Sequence, residues 1–231
     1  MKKNSIFFFL IICLFINNAN SENLLNCGKD FNHKFINKLD DIRIDSIEIN
    51  VKKYRKWSKN GVKILIDSSR NTPEKFKKRF DAEVAVNYEG GLKCKFPGKI
   101  RHHGDFKDHI IVSNNLFIQS LDVHLESGNI KGVTKFKLLL KNTRGKYEDE
   151  ILMTELLRTF NYLSPRTSFV KAKINEIDTE VIFQEKAEKE LLEFNHRREG
   201  PIFEGQEIYM FKLAENIKRD EKSNSDSGLY N

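Results

Sequence analysis

Between Phe80 and Phe96 the chain reads FDAEVAVNYEGGLKCKF, and this stretch limits the fold more than any other. Apolar residues stand at Phe80, Ala82, Val84 and Val86, and again at Leu92, Cys94 and Phe96, with Gly90-Gly91 between the two runs. A period of two puts those side chains on one face of a strand, and the paired glycines supply the turn of a hairpin. The same spacing recurs in DSIEINV (Asp45 to Val51), LDVHL (Leu121 to Leu125) and TKFKLLL (Thr134 to Leu140), the last two joined by ESGNIKG. The middle of the chain therefore reads as an antiparallel sheet.

Helical spacing takes over in YEDEILMTELLRTFNYL, where acids precede Ile151, Leu152, Leu156, Phe160 and Leu163, and Ser164-Pro165 stops the helix. Thr72, followed by Pro73 and Glu74, predicts an N-cap and a short helix. Another short helix is expected around Lys34 to Leu39. TSFVKAKI and TEVIFQE are strand-like on either side of NEIDT, and the charge spacing in KAEKELLEFNHRRE suits an exposed helix. The expected fold class is α+β: a mainly antiparallel sheet with flanking helices.

At the N-terminus two lysines precede an apolar run from Ile6 to Ile16 and a polar stretch ending in Ala19-Asn20-Ser21, which reads as a secretory signal over residues 1–21. The run is too short to span a bilayer, and no later run is longer. The expected product is exported, without a membrane span after cleavage. Residues 22–78 read as a lead-in with a first strand and helix, residues 79–215 as the main domain, and residues 216–231 as a flexible or truncated end.

Cleavage removes two of the 40 basic residues and none of the 33 acidic ones, so the net charge falls from +7 to 38 − 33 = +5. That excess suits either an anionic partner, such as a phosphorylated ligand or an envelope polymer, or, more simply, a solvated surface on which bases are spread among acids. The bases are interspersed with acids and form no patch with interleaved aromatics, which argues against nucleic acid. Cys27 and Cys94 remain after cleavage. An oxidising compartment would allow them to bridge the tail to a central strand, and two free thiols fit the sequence equally well.

KIRHHGDFKDH, residues 99–109, gathers three histidines, two aspartates and an arginine around Gly104. Three readings stand. A metal site would need His102, His103, Asp105 and His109 to converge, but adjacent histidines in an extended segment point apart. A polar turn after a strand needs only Gly104. In a phosphate-facing loop, Arg101 would supply a planar donor pair and Gly104 close backbone approach. Gly-x-Ser-x-Gly, Gly-Lys-Ser/Thr and His-Glu-x-x-His are all absent.

The ordered series KIRHHGD, SLDVHL, TKFKLLL, the helix ending in LSP, VIFQE and PIFEG resembles the N-terminal half of the CotH family of secreted and spore-coat atypical protein kinases, over about residues 79 to 210. The matching positions are Arg101, Gly104 and Asp105; Lys135, Phe136 and Lys137; Leu163, Ser164 and Pro165; Glu185; and Ile202, Phe203 and Gly205. The resemblance implies the nucleotide-binding lobe of an atypical kinase and the start of its second lobe. ATP would be held with magnesium or manganese. Lys135 or Lys137 would be the phosphate lysine, Glu185 its carboxylate partner, Arg101 a further phosphate ligand and Gly104 the point of close approach. A sheet-edge lysine, a hairpin-end acid and a turn arginine are the plainer readings of the same residues.

The family's catalytic half is missing. The sole tryptophan is Trp57, no Asp-x-Asp follows residue 200, and Glu204 stands where relatives carry a lysine. The expectation is an exported, catalytically incomplete CotH-like protein with a protein substrate or envelope partner. The alternative is a non-catalytic envelope or surface module that binds an anionic partner.

Overall fold

The computed structural model describes residues 24–25, 43–69, 71–113, 116–143, 146, 148–203, 213 and 216–217. The expected signal, the helix near Lys34 and the expected flexible end lie largely or wholly outside them. The strands are β1 (Leu24–Leu25), β2 (Ile44–Val51), β3 (Phe80–Tyr88), β4 (Lys93–His102), β5 (Ile110–Ser113), β6 (Leu116–Gln119), β7 (Leu121–Leu125), β8 (Lys135–Leu140), β9 (Thr167–Ile174) and β10 (Ile177–Glu185). The helices are α1 (Tyr54–Ile66), α2 (Asp149–Thr159) and α3 (Lys189–Phe194).

Seven strands close into a ring in the order β4-β3-β2-β9-β10-β8-β7, and β7 returns to pair with β4. Six of the junctions are antiparallel, and β2 with β9 is parallel. Parity requires this: a ring of odd strand number cannot alternate direction all the way round. Alternation along each strand then fills the interior. Ile47, Ile49, Val84, Val86, Phe96, Ile100, Val123, Leu138 and Ile174 all lie inside, each at most 1% exposed.

The expected sheet with flanking helices is thus corrected to a closed, mixed β-barrel with few helices. The cause lies in β4. Its first residues lie beside β1 (Leu24↔Lys93), while its later ones pair with β7 from Gly98↔Leu125 to His102↔Leu121. Pro97, which has no N–H to donate, stands between the two neighbours. A Cβ on Gly98 would come within 3.0 Å of the His124 carbonyl oxygen, so glycine lets β4 and β7 approach closely enough to close the ring.

Helix α1 was not expected. Its buried positions are only Trp57, Gly61 and Ile64, too sparse a stripe to stand out among its basic residues. Conversely, the helix predicted after Thr72 is a single 3-10 turn, Glu74–Phe76, without a side-chain cap. Thr72 instead donates its backbone N–H to the Asp105 carbonyl (2.7 Å).

Trp57 meets Phe117 edge-on at 5.4 Å, and both pack against the barrel core. A Cβ on Gly61 would lie 1.9 Å from the Phe117 ring, which ties the helix to the β5–β6 hairpin. Together they cap one end of the barrel. Cys94, inside β4, is disulfide-bonded, and Cys27 lies outside the described residues. No helix among the described residues is long and apolar enough to cross a membrane.

Candidate functional site

Where β4, β7 and β8 lie side by side, Ile100, Val123, Phe136 and Leu138 point inward, and the alternate positions, Lys99 and Arg101, Asp122 and His124, Lys135 and Lys137, are polar or charged. Register lines the outward residues up in two rows: Arg101, Asp122 and Lys137, and beside them Lys99, His124 and Lys135. In the first row a single acid sits between two cations. Asp122 is buried, its side chain only 3% exposed, although it faces outward.

Long basic side chains cover it. Arg101 donates from Nε to Oδ2 (3.0 Å) with Nη2 2.9 Å from the same oxygen, Arg79 approaches Oδ1 at 3.4 Å, and Lys186 Nζ lies 3.7 Å from Oδ2. Burial alone would raise the Asp122 carboxyl, but Lys186, Arg101 and Arg79 hold it below its ordinary value. Lys135 and Lys186 share Glu188, at 3.1 and 3.7 Å. Among the described residues, Arg79, Arg101 and Lys186 thus gather on Asp122, Lys135 and Lys186 on Glu188, and Lys137 stands opposite Asp122 in the ladder.

Arg101 and Arg79 remain about one-third exposed. Asp122 fixes the Arg101 fork through Nε and Nη2, which leaves both Nη1 donors outside this pair. An arginine held in this way is preorganised for a second, solvent-borne anion.

Arg101 and Lys137 are brought together here, with Lys135 one row away. Glu185 is not. It lies at the end of β10, 1% exposed, with both carboxylate oxygens bonded to Arg166: Oε2 from Nε at 2.9 Å and Oε1 from Nη2 at 2.8 Å. Gly104 has φ +119° and packs against His109, whose ring a Cβ there would strike at 2.3 Å. It shapes a turn whose Asp105 carboxylate accepts from Lys77 (2.7 Å).

The histidines of that turn pin it to the barrel. His102 Nδ1 donates to Gln119 Oε1 (3.0 Å), and burial pushes the imidazole down to about 4. His109 Nδ1 lies 3.0 Å from Ser120 Oγ, which also accepts the Leu140 N–H (3.0 Å). No group of three His, Cys, Asp or Glu side chains that could hold a metal occurs among the described residues. Of the three readings of KIRHHGDFKDH, the geometry matches a structural turn, with Arg101 alone reaching the charged cluster.

Arg79, Asp122 and Lys186 were not singled out from the sequence. Asp122 carried a signal, an acid in the middle of the apolar run LDVHL. Arg79 and Lys186 flank strands and become neighbours only through the ladder. No protein-family model matches this chain, and no curated protein matches it.

Proposed function

We propose that this is an exported, non-catalytic surface module whose barrel wall binds an anionic partner bearing phosphate groups. The observation that carries the reading is the basic cluster anchored on buried Asp122, where Arg101, Arg79 and Lys186 converge on one carboxylate. Arg101 supplies directed donors, Lys137 and Lys186 supply charge, and Asp122 keeps the arginine from collapsing onto solvent. An extended polyanion suits an open wall better than one small ligand does, since the cluster runs across three strands. Kinship with the CotH family rests on the ordered motifs alone. The separation of Glu185 from Lys135 and Lys137 favours binding over phosphoryl transfer.

Titration of residues 22 to 231 with inorganic polyphosphate, and with ATP with and without magnesium, tests this reading. The expected result is polyphosphate binding that weakens steeply between 50 and 300 mM salt, is indifferent to magnesium, and falls about tenfold or more in Arg101→Ala/Lys186→Ala. Absence of binding at low salt, or unchanged binding by the double variant, overturns it. A rise in melting temperature that requires both ATP and magnesium would favour the nucleotide-lobe reading instead.

A further inference from the structure

The end of the barrel opposite the α1 cap has a gap, and register explains it. β2 and β9 pair only from Ser46↔Lys171 to Ile49↔Ile174, whereas β9 continues back to Thr167 with β10 on its other side. The overhanging residues Thr167–Val170 have no strand on the β2 side among the described residues. A cavity of about 430 Å³ opens there, between the overhang and Arg43-Ile44.

Its lining divides by chemistry. Ile130, Val133 and Phe183 are buried apolar residues, and the half-exposed ring of Phe194 adds a wall. Arg43, Arg158 and Arg166 line the same space. Arg166 is held from three directions. It grips Glu185 through Nε and Nη2, donates from Nη1 to the Lys131 carbonyl (2.6 Å), and stacks on Phe194 at 4.0 Å. A guanidinium has five N–H donors and these contacts engage three, so two remain on a side chain that cannot swing away. Arg158 pairs with Glu155. Arg43 has no acidic partner among the described residues.

We propose that this cavity binds a small anionic amphiphile, with its head on Arg166 and Arg43 and its hydrocarbon against Ile130, Val133 and Phe183. A neutral apolar ligand would leave the arginines desolvated without recompense. A purely polar anion would leave the apolar floor wet. The volume falls within the range of small-molecule sites, and a barrel mouth is a common place for one. This site is separate from the basic wall and does not depend on the function proposed for it.

Fluorescence titration of the full chain with 11-(dansylamino)undecanoate, followed by displacement with decanoate or with decanol, tests the proposal. Saturable binding is expected, reversed by decanoate at far lower concentration than by decanol. Arg43→Ala should weaken the probe about tenfold with an unchanged melting curve, since it removes one charge-assisted contact. Ser168→Trp, which adds bulk to the overhang, should abolish binding, while Arg101→Ala on the outer wall should leave it intact. Equal displacement by decanol, full affinity in Arg43→Ala, absence of saturable binding, or loss in Arg101→Ala rather than Arg43→Ala would each overturn it.

Discussion

The two ends of the barrel are finished by different physics. At one end α1 and the β5–β6 hairpin cap the core, with Trp57 against Phe117, a hydrogen bond from His102 to Gln119, and one between His109 and Ser120. At the other the β2–β9 seam is short, and an ion pair, Arg166 with Glu185, lies against the Phe194 ring beside an open cavity. Charged groups keep an end polarised and accessible, which is where a ligand can be read.

Removing the aromatic cap is the strongest way to break the comparison. Trp57→Ala deletes a side chain 1% exposed and should cost about 3–5 kcal/mol, read as a fall in the urea midpoint. A loss below about 1 kcal/mol would mean that α1 does not cap the core.

At the charged end, Glu185→Ala leaves Arg166 without its carboxylate and should cost about 3 kcal/mol, because one partner of a buried pair is stranded. The lysine-partner role implied for Glu185 predicts a different result: stability close to wild type, with only nucleotide response lost. The same urea titration separates the two.

The smallest effect sharpens the comparison through pH. The His102 imidazole sits at about 4 when folded, because burial disfavours its cation, against 6.5 when free. The unfolded chain therefore binds the extra proton between these values. Stability from this residue is complete above about pH 6.5 and is lost progressively as pH falls toward 4, by about 2–3 kcal/mol. Asp122 and Asp105, both held below their ordinary value of 3.8, lose their contribution only at more acid pH. Urea midpoints at pH 6.5, 5.5 and 4.5 should fall in the wild type and stay flatter in His102→Gln. Parallel slopes would remove His102 from the capped end's pH response.

The legible parts of this fold are the ones with local causes. Phe80 to Phe96, Asp45 to Val51, Leu121 to Leu125 and Thr134 to Leu140 all became strands on the expected faces, because alternation is a property of neighbouring residues. α1 escaped notice because its buried stripe is only Trp57, Gly61 and Ile64, at helical spacing but with a glycine in the middle and bases around it, and what fills the space over Gly61 is Phe117, far along the chain. Thr72 offered a cap to a helix that tertiary contacts replaced with a bond to Asp105.

The candidate site was half legible. Arg101 and Lys137 could be named from their motifs, and the structure sets them on either side of Asp122. Glu185 was legible as an acid at a strand end, but its partner was not, since Arg166 reaches it only through the pairing of β9 with β10.

By itself, the sequence determined where the seven strands of the ring run, which of their faces are apolar, and that positive charge exceeds negative. Those properties follow from side chains one or two residues apart. The tertiary structure alone decided that β7 returns to β4, that β2 meets β9 in parallel, and that the seam stops short of Thr167. Such pairings join residues far apart in the chain, and their register depends on the summed fit of a whole barrel interior rather than on any one segment. The basic wall around Asp122 and the arginine-lined mouth are products of that register.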